Sequence, residues 1–181
     1  MDVACARSFV DDTYRRAYGA RGAAVFGDYL SNAGSGRAAL GYRRVGAEPL
    51  FLEAYLDEPV EALVSSRLRR PIQRDAIIEI GNLAASNAWS MIALWGEAAN
   101  DLGDTNDVVV ATLTAPLRRM FARIVVPIHE LVRADPAKLG PAAADWGSYY
   151  AQDPRVCAGR IAEGQRAIAQ FLTRRRREIA A

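Results

Sequence analysis

The sequence has few of the residues that bind metals, form disulfides or cross membranes. Its 181 residues include two cysteines, Cys5 and Cys157, and one histidine, His129. Cysteines that are far apart and a lone histidine argue against a zinc site and a disulfide framework. No run approaches the roughly eighteen apolar residues of a membrane-spanning helix, and the first residues lack the pattern of a signal peptide. We therefore expect a cytoplasmic protein without a metal and without stable membrane insertion.

An excess of charge of either sign is also lacking, which bears on the choice of partners. Lysine and arginine number 23 against 21 aspartate and glutamate, a net charge of +2. So small a charge does not indicate a nucleic-acid partner. The local exception is the arginine run 174–177 near the end of the chain. We interpret it as a solvated helix end favoured by the helix dipole, with an anion-binding patch as the alternative.

Length and composition favour one soluble domain over residues 1–181, large enough to bury a core. The apolar pattern then alternates between helices and strands. We predict helices at about 9–18, 22–31, 59–67, 88–102, 115–124 and 159–178, and strands at 38–45, 49–56, 75–84, 108–114, 127–132 and 146–150. This alternation indicates an α/β fold, a mixed sheet with helices on both faces.

Two polar side chains interrupt the most apolar of these strands. Glu79 and Asn82 lie within the run Ala76-Ile77-Ile78-Glu79-Ile80-Gly81-Asn82-Leu83-Ala84. A carboxylate in such surroundings costs several kcal/mol unless it is paired or hydrogen-bonded. Either these groups bond the backbone where a sheet splits, or they carry chemistry.

Four segments, in this order and spacing, resemble the thermostable haemolysin family. They are Gly41-Tyr42-Arg43, Leu50-Phe51-Leu52-Glu53-Ala54-Tyr55-Leu56-Asp57-Glu58-Pro59-Val60-Glu61, Ile78-Glu79-Ile80-Gly81-Asn82-Leu83-Ala84 and Asp145-Trp146-Gly147-Ser148-Tyr149-Tyr150. That family is similar to a branch of the GNAT acyltransferases close to the acyl-homoserine-lactone synthases. The resemblance implies a GNAT-like mixed sheet that splays to form a slot for an acyl thioester. The strand 76–84 would precede the phosphate-binding helix, which begins at about Ala88.

The turn before that helix departs from the usual GNAT loop. Glycines there let backbone N–H groups reach a pyrophosphate, but residues 85–90 read Ala-Ser-Asn-Ala-Trp-Ser. We therefore expect an acyl group on the phosphopantetheine of an acyl carrier protein, in preference to acyl-CoA. The expected contacts to the donor are Leu83, Ala84, Ser86, Asn87 and Arg118. Arg15, Arg16 and Arg119 are further possible contacts for the phosphopantetheine phosphate or for an acidic face of the carrier protein. For each of these arginines and for Arg118, solvated surface is the alternative.

Three polar residues are the candidates for catalysis. Glu79 would be the general base that takes a proton from an amine, or only a backbone acceptor at the sheet split. Asn82 would stabilise the thioester carbonyl, or only satisfy a bulge at Gly81. Glu53 would bind a substrate ammonium, or pair with Arg43.

The remaining candidates would bind substrate. They are Tyr18 and Phe26 as a lid, Arg43, and an aromatic wall of Trp146, Tyr149 and Tyr150. Core packing is the alternative for each aromatic residue.

The resemblance thus implies an N-acyltransferase for a small amine or amino-acid-like acceptor. A non-catalytic binding protein and a cyclase or condensing enzyme that acts on a carrier-bound thioester stay open. Direct membrane lysis and a cysteine–histidine nucleophile have little support in the sequence. The sequence carries no indication of the oligomeric state.

Overall fold

Six strands form a mixed sheet in the order β1-β2-β3-β4-β6-β5. The computed structural model describes residues 2–33, 36–46 and 48–180. Only the central pair, β3 and β4, is parallel, and every other neighbouring pair is antiparallel. The strands are β1 (Asp28–Asn32), β2 (Ala38–Arg44), β3 (Ile77–Ala85), β4 (Val108–Leu113), β5 (His129–Arg133) and β6 (Arg155–Arg160).

Helices cover both faces of this sheet, as predicted. They are α1 (Val3–Tyr18), α2 (Val60–Leu68), α3 (Ala88–Gly103), α4 (Ala115–Arg123) and α5 (Ile161–Ala180). Ile78 and Ile80 of β3 point toward α3, α4 and α5, whereas Ile77 packs toward α2 and Ala84 toward α1. Alternation of side chains along β3 therefore supplies the cores on both faces of the sheet. No described helix is both long enough and apolar enough to span a membrane.

The sheet splits between its two central strands, which confirms the predicted splay. β3 and β4 pair only from Ile77 beside Val108 to Ile80 beside Ala111. Beyond that point β3 continues to Ala85 alongside β2, while β4 continues to Leu113 alongside β6. A bulge accompanies the split, because the pairing of β2 with β3 shifts between Ala39 and Gly41.

The prediction of a helix at 22–31 is wrong, because this segment is extended and enters β1. The prediction of a strand at 49–56 is also wrong, since Phe51–Tyr55 forms a 3-10 helix. Leu52 and Tyr55 are buried, but the first backbone N–H groups bond a distant carboxylate rather than a neighbouring strand.

The end of the chain differs from the prediction as well. Residues 146–150 were expected to form a strand, but they belong to the 3-10 segments Pro136–Trp146 and Tyr149–Gln152. Positive φ at Gly147 and Asp153 turns the chain at the ends of these segments. The strand in this region is β6, which pairs with both β4 and β5 and was missed by the sequence reading.

Candidate functional site

Glu79 lies on β3 just before the split, with 2% of its surface exposed. Its Oε2 accepts a hydrogen bond from the backbone N–H of Phe51 at 2.8 Å, and its Oε1 accepts one from Leu52 at 2.9 Å. Burial raises the pKa of Glu79 to about 7, although these two hydrogen bonds lower it. The carboxyl group therefore holds the 3-10 helix in place and also changes charge near neutral pH.

A small cavity of about 30 Å³ opens beside Glu79 on the α1 side of the sheet. Its polar lining includes Glu79, Asn82 and Thr112, and the rest of its lining is mainly aromatic. The Thr112 Oγ1 is buried and has no hydrogen-bond partner in the described part of the chain. The aromatic residues that line it are Tyr14, Phe26, Phe51, Tyr55, Trp146 and Tyr149.

Asn82 forms the bulge of β3 with a φ of 52°. Its side-chain NH₂ donates to the backbone carbonyl of Ala24 at 2.6 Å and to the Tyr29 hydroxyl at 2.8 Å. These contacts tie β3 to the segment before β1 and occupy the donors that an oxyanion role requires. The backbone N–H of the next residue, Leu83, hydrogen-bonds the Tyr14 hydroxyl.

The expected pair of Glu53 with Arg43 is wrong. Glu53 binds Arg74 through two hydrogen bonds of 2.7 and 2.8 Å, and it also accepts from the backbone N–H of Leu50. Arg74 and the Leu50 N–H lower the pKa of Glu53. Arg43 instead donates to the carbonyls of Pro49 and Val25. Glu53 therefore caps the 3-10 helix, and it does not line the cavity.

The predicted aromatic wall is present, although its backbone is not a strand. Trp146 and Tyr149 line the cavity, and their rings are 5.2 Å apart. Tyr150 lies behind them with its hydroxyl 2.7 Å from that of Tyr55. Tyr18 contacts Tyr149 edge to face at 5.3 Å.

The second predicted lid residue, Phe26, lies over two glycines in neighbouring strands. A Cβ placed on Gly81 would be 2.5 Å from its ring, and one on Gly41 would be 2.8 Å away. Glycine at both positions therefore lets the ring lie flat on the sheet and close one side of the cavity.

A larger cleft of about 580 Å³ opens at the same split, between α1, α3 and α4. Leu83 and Asn87, two of the residues expected to contact the donor, line it together with Tyr18. Arg119 and Arg123 of α4 contribute its basic groups. Both openings thus lie at the end of β3, and α1 contributes to the lining of each.

The N-terminus of α3, at the edge of this cleft, is already capped by the protein. Asn87 Oδ1 accepts from the Ser90 N–H at 2.8 Å, and Ser86 Oγ accepts from the Arg37 N–H at 3.0 Å. A Cβ on Gly36 would be 2.5 Å from the Asn87 side chain. Ala84 packs against the α1 side. Of the residues expected to contact the donor in the turn region, Ser86 and Ala84 are therefore engaged elsewhere.

Arg118 points to a different place from the one expected. Its guanidinium bonds the Leu113 carbonyl, both the carbonyl and carboxylate of Asp153, and the Glu130 carboxylate. These bonds fix α4 to the start of β6. The cationic groups that face the cleft are those of Arg119 and Arg123.

Sequence reasoning missed Tyr14, Phe51, Tyr55 and Thr112, which all line the small cavity. Thr112 could have been singled out as the polar residue in an otherwise apolar β4. The other three come from segments whose approach to β3 depends on tertiary folding. The cysteine–histidine alternative gains no support, because burial raises the pKa of Cys157 to about 12.

Comparisons with known proteins connect this geometry to a family. The family described as thermostable hemolysin matches residues 1–165. Two solved structures share the fold: TofI in a ternary complex with an inhibitor and MTA, and TofI in an apo form. Each is 16% identical and is matched over 93% of this chain and 91% of its own, with TM-scores of 0.52 and 0.53. No curated protein matches the sequence.

Proposed function

Since the chain belongs to the thermostable hemolysin family and shares its fold with TofI, we propose that it is an N-acyltransferase. It would move an acyl group from a thioester, carried by an acyl carrier protein in preference to CoA, to a small amine or amino-acid-like acceptor. The resemblance of that family to the acyl-homoserine-lactone branch of the GNAT enzymes supports acyl transfer from a thioester. The observation that carries the proposal is Glu79, a buried carboxyl with a pKa of about 7 at the split of the sheet.

The larger cleft suits the pantetheine arm of the donor. It reaches the ends of β3 and β4 from the surface, with Leu83 and Met91 on one side and Leu117 and Met120 on the other. The capped N-terminus of α3 is a poor place for the diphosphate of CoA, because Gly36 and Asn87 already fill the approach. A single phosphate on a carrier-bound arm would instead bind Arg119 or Arg123.

The small aromatic cavity suits the acceptor. A cationic amine is attracted both by the Glu79 carboxylate and by aromatic faces such as those of Phe51 and Trp146. Once neutral, its nitrogen attacks the thioester carbonyl while Glu79 takes the proton, directly or through a water. The C–S bond then breaks, and the thiolate leaves with a proton to give an amide and a free thiol.

The oxyanion formed in that step requires hydrogen-bond donors at the end of β3. The Leu83 N–H and the Tyr14 hydroxyl already lie there in contact with each other. We assign the oxyanion role to the proton of the Tyr14 hydroxyl, to the Leu83 N–H the role of orienting that hydroxyl, and to Asn82 the role of positioning the bulge.

The test is amide formation at different pH values. Octanoyl-pantetheine, octanoyl-CoA and octanoyl-acyl carrier protein are each incubated with a panel of amino acids, and amides are detected by mass spectrometry. Because the carboxylate is the active form of the base, kcat/KM should rise as pH increases through about 7. Glu79→Gln should lower kcat/KM by about 10²- to 10⁴-fold and remove this rise.

The matched control is Glu97→Gln, the same chemical change on an exposed position of α3. It should leave both the rate and its pH profile unchanged. Circular dichroism must show that Glu79→Gln is folded, since glutamine offers one acceptor oxygen to two backbone N–H groups. If folded Glu79→Gln keeps the rise of kcat/KM with pH, the assignment of Glu79 as the base is wrong.

A non-catalytic binding protein is the second candidate. It is favoured by the small volume of the aromatic cavity, about 30 Å³, and by the engaged NH₂ of Asn82. On this hypothesis no donor yields an amide, while acyl-pantetheine still binds and raises the melting temperature. A cyclase or condensing enzyme would release thiol from the acylated carrier without added amine.

A further inference from the structure

The arginine run at the end of α5 has no role in the site described above, yet the fold brings it near the larger cleft. α5 lies antiparallel to α3. Near its start, Gln165 Nε2 donates to the Ala99 carbonyl at 2.8 Å, and further along the rings of Phe171 and Trp89 are 6.5 Å apart. Trp89 belongs to the first turn of α3, so α5 runs toward the end of the sheet where the cleft opens.

The last part of α5 extends beyond its neighbour. Helix α5 continues to Ala180, nine residues after Phe171. At a rise of about 1.5 Å per residue, this segment projects roughly 13 Å past the level of Trp89. The sheet and α3 therefore do not cover it, and Arg174, Arg175 and Arg177 are exposed.

Two of these three arginines lack an anionic partner in the described part of the chain. Arg175 pairs with Glu178 at 3.3 Å, but no ion pair involves Arg174 or Arg177 among the described residues. The same holds, over the described ranges, for Arg119 and Arg123, which line the cleft itself. Arginines of α4 thus line the cleft, and those of α5 project beyond the end of the sheet at which the cleft opens.

We propose that the projecting end of α5, together with Arg119 and Arg123, is the docking face for an acidic acyl carrier protein. This inference rests on the proposed function and names the partner that delivers its donor. The carrier would place its acidic surface against the arginines while its phosphopantetheine arm enters the cleft. Arginine suits this contact because its planar guanidinium binds carboxylates through paired hydrogen bonds.

The arrangement fits a protein better than a small donor or a membrane. CoA places its phosphates within one small molecule, whereas these arginines lie on two helices, and three of them lie on a segment that projects about 13 Å. An interfacial membrane helix would carry an apolar face on its projecting end. Residues 173–178 instead read Thr-Arg-Arg-Arg-Arg-Glu. The charge of these arginines therefore complements the surface of an acidic protein best.

Carrier binding can be measured without turnover. Fluorescence anisotropy of a dye-labelled holo-acyl carrier protein is followed at several salt concentrations with the full chain and with R174E/R175E/R177E. The reversed charges should weaken binding by at least about tenfold and flatten its salt dependence. The matched control is R67E/R69E/R133E, the same change of charge on arginines at α2 and β5, on another face of the molecule. It should alter the affinity by less than about twofold.

Kinetic measurements with two donors provide a second, independent test. The α5 variant should raise KM for octanoyl-acyl carrier protein by about tenfold and leave kcat/KM for octanoyl-pantetheine unchanged, because the small donor has no protein surface to dock. Unchanged carrier affinity, an equal effect of the control, or equal losses with both donors would each overturn the docking face. Binding to vesicles containing phosphatidylserine that the α5 variant loses, with no affinity for the carrier, would also overturn it in favour of a membrane.

The two proposals fail in different ways. If the carrier binds through α5 but no donor yields an amide, the docking face is supported and the proposed acyl transfer is wrong. If octanoyl-pantetheine yields an amide but the carrier binds equally to all variants, acyl transfer is supported and the proposed docking face is wrong.

Discussion

At the scale of single residues, Glu79 has a structural role that its hydrogen bonds show and a catalytic role that we propose. Each carboxylate oxygen accepts one backbone N–H, from Leu52 or Phe51, so the group is a structural acceptor. Two such bonds in an exposed site would hold a carboxyl pKa below its normal value. Here burial outweighs them, and the pKa rises to about 7. A buried acceptor with lone pairs to spare and a pKa near neutrality is also suited to act as a base.

Thr112 is the second residue whose environment predicts a function. Its Oγ1 is buried beside Glu79 without a partner in the described chain, and this lowers stability because a hydroxyl loses its hydrogen bonds to water. Thr112→Val keeps the shape and removes the hydroxyl. We expect the free energy of unfolding in urea to stay the same or rise by about 1 kcal/mol. Acceptor KM should increase, because the hydroxyl is free to bond a ligand.

Thr105→Val is the matched control for this substitution. The Thr105 Oγ1 bonds the Leu102 carbonyl and the Asn106 side chain in the loop after α3. Its loss should destabilise the fold by about 1 kcal/mol and leave the kinetics unchanged. If Thr112→Val destabilises the protein as Thr105→Val does, Thr112 has an unrecognised structural partner and its assignment to the ligand is wrong.

At the scale of elements, local pattern predicted the parts whose hydrogen bonds are local. α3 is an example, since its Asn87 cap and its apolar face are both encoded within the segment. The 3-10 helix Phe51–Tyr55 could not be predicted in this way. Its apolar residues read as a strand, but its N–H groups bond Glu79, which lies 27 or 28 residues further along the chain.

The candidate site shows the same division. The strand with Glu79 and Asn82 and the aromatic residues Trp146 and Tyr149 were found by sequence, because polar groups in an apolar run and a cluster of aromatics are visible there. The sequence did not show which of the two arginines, Arg118 or Arg119, faces the cleft. Neighbouring residues on a helix point about 100° apart, and only the packing of α4 decides which one faces the cleft.

The contact between β3 and the segment before β1 leads to a prediction about Gly81. Gly81→Ala places a Cβ 2.5 Å from the Phe26 ring, so the ring must leave its position over the sheet. We expect a loss of about 1–3 kcal/mol in the free energy of unfolding, measured in urea. The loss should shrink in a Phe26→Leu background, where the distal ring atoms are absent.

Gly22→Ala is the control for this substitution, because a Cβ on Gly22 would meet nothing within 4 Å. It should change the free energy of unfolding by no more than about 0.5 kcal/mol. The coupling energy between positions 81 and 26 is the decisive quantity. A coupling near zero would show that the ring does not cover Gly81.

At the scale of the whole molecule, one sheet joins the cores on its two faces. β3 contributes Ile78 and Ile80 to the core under α3 and Ile77 to the core under α2. The split of the sheet leaves this continuity intact, because Ile77–Ile80 pair with β4 through the same backbone whose opposite edge pairs with β2. We propose on this basis that residues 1–181 form a single folding domain.

Tryptophan fluorescence can test that proposal on both faces separately. Trp95 packs against Phe121 in the core under α3, whereas Trp146 lies among the aromatic residues on the α1 side. In W89F/W146F only Trp95 reports, and in W89F/W95F only Trp146 reports. For each variant the fluorescence midpoint in urea should equal the midpoint from its own circular dichroism, since one domain unfolds in one step. Midpoints that differ within a variant would show that the two faces unfold separately. The split between β3 and β4 would then be a boundary between two folding units as well as the opening of the site.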